Sequence, residues 1–430
     1  MQISLGILAK RRFLPLFLTQ FLGAFNDNLF KQATILLAVY VIYDNPKLEQ
    51  SFTGVAYAAY VIPFFLFSAL AGQLADALDK ARIIRFVKLV EIGIMAIGAA
   101  GLILQNIYLL VLVLFLMGTH SSFFGPTKYA ILPQHLKPDE VLSGTSLVEA
   151  GTNVAILLGI IMGGFLGNAP IKAAILVMVT AGIGLIAGRA VPPAPSQEPP
   201  GEREIDRNLF RATWHVCRDT LQVPQLALSI AAISLFVIEA SILGVSFAPL
   251  VKNVLGGDPR VATLMTVVFA IGVAIGAIII NFLLKGRVSA RYCVMSAIAM
   301  AFFLMLMFLL LRSWPLPAPE DVGQIEWRDF LADGDAQLLM AELLGVAIFG
   351  GMFIVPLYAI LTTTLDKAHA ARVIAANNIL SSAAGAVGGF LAASFTSLKH
   401  FDLSDTFIII AGFALMSAWV AHKLDRAGAP

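Results

Sequence analysis

Long apolar runs recur along the whole chain, separated by shorter segments in which charged residues, proline and glycine collect. A helix crosses the ~30 Å hydrocarbon core of a bilayer with about 20 residues, and windows of that length predict twelve membrane-spanning helices. Their expected positions are residues 13–43, 52–78, 82–104, 107–133, 139–168, 171–190, 222–253, 259–284, 289–312, 337–365, 371–396 and 404–422. The pattern therefore predicts an all-α protein that crosses a membrane many times.

The composition agrees with this class, because 59% of the residues are hydrophobic, 13% are charged and the mean hydropathy is +0.86. A net charge of +2 gives no indication of a nucleic-acid partner. The two cysteines, Cys217 and Cys293, form neither a disulfide framework nor a metal-binding spacing, and we expect both to be reduced. No glycine-rich Lys-Ser/Thr phosphate loop is present. We expect no cofactor, no metal and no enzymatic activity.

Basic residues are distributed unevenly between the predicted loops. Clusters at residues 10–12, 80–85 and 203–218 alternate along the chain with loops that carry few lysines or arginines. Because these residues collect in cytoplasmic loops, both termini are predicted to be cytoplasmic. We expect no cleavable signal peptide, since basic residues run directly into a first helix that is too long for one.

One long polar break, residues 191–221, interrupts the apolar runs. It opens with several prolines and continues with mixed charge, which is typical of a semi-rigid linker, and a helix is expected around residues 209–220. The break predicts a first half at residues 1–190 and a second half at residues 222–430, with six spans each. Two six-helix halves joined by a charged cytoplasmic linker resemble the major facilitator superfamily, and this resemblance implies its fold.

The loop between the second and third predicted helices strengthens this resemblance. A glycine, an acid four residues later and then a basic cluster are similar to the loop signature of that superfamily, although three other positions of the signature differ. The resemblance implies a gating role for Gly72, Asp76, Lys80 and Arg82.

The first predicted helix carries the most polar stretch of any span. A charged side chain in hydrocarbon is costly unless it faces a wet cavity, a ligand or an opposite charge. Helical spacing places Gln20, Asp27 and Lys31 on one face, flanked by Asn26 and Asn28. Two interpretations remain open: Asp27 and Lys31 neutralise each other, or they bind the polar part of a substrate together with the carboxamides. All five residues are candidates for substrate binding.

Four further polar residues of the spans are candidates. Lys128 either extends toward the membrane surface or binds a phosphate. Glu149, with Asn153 one turn later, bonds either a neighbouring helix or a ligand. Glu239 has no adjacent cation in the sequence, which favours a functional role.

Other features are expected to be structural. Lys88 and Glu91 are spaced for an ion pair within one helix. His120 is expected to pack with a hydrogen bond, the alternative being a proton carrier. Small-residue stripes are suited to close helix packing; alternatively, they face each other between the halves and allow a lateral opening. They consist of Gly159, Gly163 and Gly167 in one helix and Gly272 and Gly276 in another.

Residues 20–28, 120–133 and 372–379 together resemble the bacterial lysophospholipid transporter family, in particular the branch often fused to an acyl-acyl-carrier-protein phospholipid acyltransferase. The resemblance implies inward flipping of lysophosphatidylethanolamine and related lysolipids across the bacterial inner membrane for reacylation. It adds Tyr129, Asn377 and Asn378 to the candidate binding residues. We expect no acyltransferase domain in this chain, so the implied partners are membrane lipids and a separate cytoplasmic acyltransferase.

The residues in the spans agree with such a substrate. A cation suits its phosphate, a carboxylate suits its ethanolamine, and carboxamides suit the free glycerol hydroxyl. Three functions remain open at this point. The first is a lysolipid flippase that works by alternating access with lateral lipid entry. The second is a proton-coupled transporter of an amphiphilic drug or small solute, and the third is a non-transporting membrane subunit that docks an acyltransferase.

Overall fold

A computed structural model describes residues 5–137, 140–196, 209–285, 288–314, 324–364, 367–395 and 401–428. Within these ranges the chain is helical, with no strand beyond an isolated bridge between Gly257 and Ile325. The helices are α1 (Leu14–Leu37), α2 (Pro46–Ala77), α3 (Lys80–Ile103), α4 (Ile107–Ala130), α5 (Leu132–His135), α6 (Val141–Leu166), α7 (Pro170–Arg189), α8 (Leu209–Leu221), α9 (Pro224–Leu250), α10 (Pro259–Leu284), α11 (Cys293–Arg312), α12 (Trp327–Ala332), α13 (Gly334–Thr363), α14 (Lys367–Phe395) and α15 (Asp405–Gly428).

Among the described residues, eleven helices are long and apolar enough to span a membrane: α2, α3, α4, α6, α7, α9, α10, α11, α13, α14 and α15. Helix α1 has 24 residues and is also long enough, but its polar stretch lowers its mean hydropathy. Together they correspond to the twelve spans predicted from the sequence. The chain is therefore a multi-pass membrane protein with twelve helices of spanning length among the described residues, and α8 is the additional helix expected near residues 209–220.

Side-chain capping fixes where several helices begin. Asp79 accepts from the backbone N–H of Ala81 and Arg82 at the start of α3, at 2.9 and 3.2 Å. Asn106 caps α4 in the same way, and Asp258 caps α10. Such caps satisfy N–H groups that have no partner within the helix. The Asp258 cap places the start of α10 at Pro259, which is the start predicted from the sequence.

Helix α2 begins earlier than the sequence predicted, at Pro46 and not at residue 52. The Asn45 carboxamide accepts from the N–H of Lys47 at 2.9 Å and caps the first turn. The polar residues Glu49 and Gln50 look like loop residues in the sequence, but both are fully buried. Their partners lie on a distant part of the chain, so the local pattern did not show that they are helical.

The chain forms two compact units. Unit 1 comprises residues 1–38 and 59–212, and unit 2 comprises residues 39–58 and 213–430. Helix α2 therefore contributes its first part to unit 2 and the remainder to unit 1. In unit 2, the Lys252 ammonium donates to Glu49 at 2.8 Å and to the carbonyl oxygen of Val39 at 2.7 Å. Gln50 donates to Ser246 at 3.0 Å. These buried bonds attach residues 39–58 to α9 and the turn that follows it.

The glycine stripes pack helices together within each unit. In unit 1, a Cβ atom on Gly159 would lie 2.5 Å from the Phe25 carbonyl oxygen, and one on Gly163 would lie 2.8 Å from that of Leu29. Only glycine permits this approach of α6 to α1. In unit 2, a Cβ atom on Gly276 would lie 1.9 Å from the Ile348 carbonyl oxygen of α13. The predicted packing role is confirmed within each unit, and the alternative role in a lateral opening stays a prediction.

Candidate functional site

The side chain of Asp27 is buried in unit 1 with an incomplete set of partners. Its Oδ2 accepts a hydrogen bond from Ser121 Oγ of α4 at 2.5 Å, whereas Oδ1 is buried and has no hydrogen-bond partner. The residue is 7% exposed. A buried acceptor without a partner costs about 1–3 kcal/mol, and more for a charged group. Asp27 is therefore a buried carboxyl group with one oxygen that makes no hydrogen bond among the described residues.

The next polar group in unit 1 is an ion pair on α3. Lys88 Nζ donates to Glu91 Oε2 at 2.6 Å, and both side chains are almost fully buried. Asn26 donates to Glu91 Oε1 at 3.3 Å, and His120 Nε2 lies 3.3 Å from Glu91 Oε2. We call Asn26, Asp27, Lys88, Glu91, His120 and Ser121 the buried ionic cluster. It joins α1, α3 and α4.

A close approach of α1 and α7 to the lysine makes this pair possible. A Cβ atom on Gly23 would lie 2.7 Å from Lys88 Nζ, and one on Gly188 would lie 3.2 Å from Lys88 Cγ. Lys88 Nζ also lies 5.4 Å from the ring centroid of Phe124, within the range of a cation–π contact. The sequence predicted that Lys88 and Glu91 pair structurally, and the structure confirms the pair.

The charges of the buried ionic cluster do not balance around Asp27. Lys88 compensates Glu91 directly, whereas Asp27 has only a neutral hydroxyl as its hydrogen-bond donor. Buried charges are generally paired, because their desolvation costs several kcal/mol. With Asp27 and Glu91 as carboxylates, the cluster contains two acidic side chains and one lysine. A cationic group arriving beside Asp27 would complete the balance.

Lys31 does not complete it in this structure. Asp27 and Lys31 do not approach within the 4.0 Å of an ion pair, and Lys31 Nζ instead lies 5.0 Å from the ring centroid of Tyr60 in α2. The two residues therefore form no direct ion pair in this structure. Lys31 is half-buried and keeps its charge close to the polar stretch of α1.

A second group of polar residues in unit 1, Gln20, Lys128, Tyr129, Glu149 and Thr152, connects α1, α4 and α6, and we call it the α4–α6 polar cluster. Lys128 Nζ donates to Thr152 Oγ1 at 3.4 Å, and Thr152 donates to Gln20 Oε1 at 2.6 Å. The Tyr129 hydroxyl donates to Glu149. Lys128 therefore bonds a neighbouring helix and is half-buried, and its ammonium group has further N–H donors.

The two remaining carboxamides among the candidate binding residues of unit 1 bond their own helices. Asn28 donates to the Ala24 carbonyl oxygen at 2.8 Å and is 7% exposed. Asn153 donates to the Glu149 carbonyl oxygen at 3.0 Å and is exposed. The structure thus places Asn28 at the contact of α1 with α6, next to Gly159. Asn153 lies beside the α4–α6 polar cluster without joining its bonds.

The candidates in unit 2 do not form one group with each other. Glu239 is 2% exposed; its Oε1 accepts from Ser417 Oγ at 2.6 Å and its Oε2 has no hydrogen-bond partner. Asn377 is fully buried and its Nδ2 has no hydrogen-bond partner, whereas Asn378 is exposed. Among the described residues, Glu239 and Asn377 make no bond with each other. Each is a buried polar side chain with one unused atom.

The predicted gating loop is partly described. Lys80 is buried at the first turn of α3, and its N–H donates to the Ala194 carbonyl oxygen at 2.9 Å. Arg82 is exposed, and a Cβ atom on Gly72 would meet no atom within 4 Å. The side chain of Asp76 lies outside the described residues. The acid that binds the N-terminus of α3 is Asp79, a position that departs from the superfamily signature.

Ser121, Thr152 and Asp79 were not recognised as site residues from the sequence. A Ser or Thr hydroxyl group in a span donates to a carbonyl oxygen of the preceding turn, so its burial has a low free-energy cost. Nothing in the sequence therefore distinguishes Ser121 and Thr152 from other hydroxyl residues of the spans. Asp79 carries a signal that could have identified it, since an acid directly before a helical run is typical of an N-cap. The partners of Asp27 and Gln20 depend on which helix faces meet.

Comparisons with known proteins agree with the fold and the motifs. The model of the Major Facilitator Superfamily matches residues 16–320. Among similar proteins, the lysophospholipid transporter LplT of Citrobacter koseri is 27% identical over 84% of this chain and 82% of its own length. LplT of Escherichia fergusonii is 27% identical, and LplT of Escherichia coli O157:H7 is 26% identical, with the same coverage. The predicted resemblance is confirmed by these relatives.

Solved structures share the fold at low sequence identity. A bacterial homologue of the human lysosomal transporter Spinster, in an inward-facing and unoccupied conformation, superposes with a TM-score of 0.69 at 12% identity, covering 97% of both chains. A mutant form of the nucleoside transporter NupG also gives 0.69 at 12% identity, over 96% of this chain and 99% of that one. Because the family model spans well over half of the sequence and the fold agrees with it, the chain belongs to the Major Facilitator Superfamily.

Proposed function

We propose that this protein is a lysophospholipid transporter that moves lysophosphatidylethanolamine and related lysolipids from the outer to the inner leaflet of the bacterial inner membrane, where they are reacylated. The observation that carries the proposal is Asp27, a buried carboxylate with one bonded and one unused oxygen in the middle of α1. The relatives named lysophospholipid transporters support the same substrate class.

The chemistry of the headgroup fits the residues around Asp27. The ethanolammonium group is a cation with three N–H donors, and it supplies both the charge and the donor that Asp27 Oδ1 lacks. The phosphate requires a cation, and Lys31 and Lys128 are both half-buried lysines of unit 1 that make no ion pair within 4.0 Å among the described residues. The buried ionic cluster and the α4–α6 polar cluster thus provide complementary groups for the two charges of this headgroup.

The proposal includes an orientation and a path. The excess of basic residues in one set of loops supports cytoplasmic termini. The headgroup follows the polar side chains of the spans while residues 1–190 and residues 222–430 alternate between access states as two halves joined by a linker at residues 191–221. The single acyl chain remains in an apolar environment during lateral entry, where its apolar surface is not exposed to water. Gly72, Asp76, Lys80 and Arg82 gate one access state, and Glu239, Asn377 and Asn378 are further substrate-binding residues.

Flux measured with purified protein in proteoliposomes tests this function directly. Lysophosphatidylethanolamine, its diacyl counterpart and a cationic amphiphilic drug are compared without any acyltransferase present. We expect rapid flux of the lysolipid and little flux of the other two compounds. Liposomes containing Asp27→Ala protein at the same protein density correct for lipid movement caused by inserted protein alone. Faster flux of the drug would favour the proton-coupled transporter, and no flux at all would favour the docking subunit.

A further inference from the structure

An apolar groove of about 850 Å³ lies within unit 1, between the last turns of α2 and the middle of α3 and α4. Its walls are formed by Leu74 and Leu78 of α2, by Phe86, Val90 and Ile97 of α3, and by Phe123 of α4. Charged residues appear only at one end, where Asp79 and Arg82 begin α3. The volume falls within the ~300–1,000 Å³ typical of ligand sites.

The groove opens on the outer surface of unit 1. Helix α3 has one polar buried face, with Lys88 and Glu91, and one apolar face on which Phe86 is 67% exposed, Val90 is 40% exposed and Ile97 is 37% exposed. These three residues line the groove, so its mouth faces away from the buried ionic cluster. Exposed apolar side chains on a membrane-spanning helix suit a mouth that faces lipid.

Contacts between α2 and α4 separate the groove from the interior. The rings of Phe67 and Phe123 stack with centroids 5.9 Å apart. A Cβ atom on Gly118 would lie 2.0 Å from the Tyr60 carbonyl oxygen, so the two helices meet closely just beyond the groove. An occupant therefore enters and leaves from the bilayer and does not need to pass between these helices.

We propose that this groove binds one acyl chain of a resident bilayer phospholipid, whose phosphate is held by Arg82. The helix rises 1.5 Å per residue, so the distance along α3 from Arg82 to Ile97 is about 22 Å. One leaflet supplies about half of the ~30 Å hydrocarbon thickness, so a single chain with its headgroup matches the length of the groove. Arg82 is exposed at the end where a headgroup would lie, and guanidinium groups bind phosphate with two parallel hydrogen bonds.

The occupant has a structural consequence for the neighbouring cluster. His120 lines the groove at its inner wall and also lies 3.3 Å from Glu91. An acyl chain in the groove covers this wall, so water that enters from the end at Asp79 and Arg82 does not reach His120. A dry environment strengthens a well-paired ionic network and penalises an incomplete one. The phospholipid is therefore a stabilising component of unit 1 and is distinct from the transported molecule.

Gly93 offers a way to fill the groove without disturbing the helix packing. It lines the groove, and a Cβ atom added to it would meet no atom within 4 Å. Gly182 of α7 has the same open surroundings outside the groove. Gly93→Phe is therefore the blocking variant and Gly182→Phe its matched control. Val90→Trp and its control Val179→Trp, both at exposed positions, repeat the test if the glycine variants do not fold.

The experiment measures phospholipid retained by the purified protein in native mass spectra, and thermal unfolding as dioleoyl phosphatidylethanolamine is added. We expect the wild type and Gly182→Phe to retain one phospholipid and to gain thermal stability, and Gly93→Phe to lose both effects. Dioleoylglycerol, which lacks the phosphate, should stabilise the wild type much less, and Arg82→Gln should remove this difference. Equal retention by Gly93→Phe and its control would overturn the proposal. Stabilisation by lysophosphatidylethanolamine and not by the diacyl lipid would also overturn it, by assigning the groove to a single-chain ligand.

Discussion

Ser121 is the sole hydrogen-bond donor to Asp27 among the described residues, at 2.5 Å from Oγ to Oδ2, and it leaves Oδ1 buried without a partner. The two residues belong to α4 and α1, so this bond holds the carboxylate in position between two helices. A hydroxyl group does not neutralise a carboxylate. The arrangement orients Asp27 and leaves its charge available, which is what recognition of a cationic headgroup requires.

The first prediction concerns the charge of Asp27. Asp27→Asn keeps the shape and one acceptor oxygen but removes the charge, and Asp27→Ala removes both. We expect Asp27→Ala to abolish lysolipid flux and Asp27→Asn to lower it about 10- to 100-fold, since a hydrogen bond to a charged group contributes about 1.5–3 kcal/mol. Flux in proteoliposomes measures this, with membrane level and thermal unfolding as folding checks.

Ser121→Ala is the matched control for that prediction. It removes the hydrogen bond and leaves the carboxylate charged, so flux should fall only a few-fold. Wild-type flux in well-folded Asp27→Ala protein would contradict the role of Asp27 as a substrate ligand. A loss in Ser121→Ala as large as that in Asp27→Asn would show that orientation of the group matters more than its charge.

The second prediction concerns the Lys88–Glu91 pair. Removing one partner of a buried ion pair costs about 3–5 kcal/mol, because an uncompensated charge remains, whereas replacing both partners by apolar groups is often tolerated. Lys88→Met and Glu91→Leu should each destabilise unit 1 strongly, and the double variant should recover most of the stability. Thermal unfolding in detergent measures this. Independent, additive losses in the double variant would contradict direct pairing.

The third prediction concerns Lys128 as a phosphate ligand. Lys128→Ala should weaken binding of all phosphate-bearing lysolipids alike, and Lys128→Arg should have a milder effect because it retains the charge. Binding of a monoacylglycerol, which has no phosphate, should not change. Thr152→Val removes the hydroxyl that Lys128 contacts and serves as the structural control. If both Lys128 variants transport normally, the lysine has no role in substrate binding.

The fourth prediction concerns pH and the ion pairs of Glu140 at the start of α6. Lys10 and Arg12 both bond its carboxylate, and the hydrogen bond from Lys10, followed by one from the Lys137 backbone, lowers its pKa from 4.5 to about 2. A lowered folded-state pKa stabilises the protein at pH values above 4.5, and this stabilisation is lost as the pH falls from 4.5 toward 2. The thermal midpoint of the wild type should therefore exceed that of Glu140→Gln at pH 7.

At pH 3 the difference between the two midpoints should be clearly smaller. Lys10→Met and Arg12→Met should reproduce part of the Glu140→Gln effect at pH 7, since each removes one partner of the same carboxylate. A difference that stays constant between pH 7 and pH 3 would show that these contacts do not perturb the ionisation of Glu140.

Much of the fold follows from the sequence because the cost of exposing polar backbone in hydrocarbon depends only on local composition. Apolar runs of sufficient length must be helical, so the predicted positions of α10 and α7 lie within a residue of the observed ones. The predicted start of α2 was wrong because Glu49 and Gln50 look like loop residues in the sequence, whereas the tertiary structure buries both side chains. The fold family was also accessible, since its loop motif and linker are continuous stretches of sequence.

For the site, the sequence by itself identified Asp27, because a charge in the middle of a span is conspicuous whatever surrounds it. It did not determine that Ser121 bonds Asp27, that Thr152 connects Lys128 with Gln20, or that Lys31 lies over Tyr60. Those contacts join residues on different helices and depend on how each helix is rotated about its axis. That rotation is fixed by packing, such as the approach of Gly159 and Gly163 to α1. The free-energy cost of burying a charged side chain depends on that residue alone and can be read from the sequence. The partners that offset this cost lie on other helices, and only the tertiary structure decides which helices surround the charge.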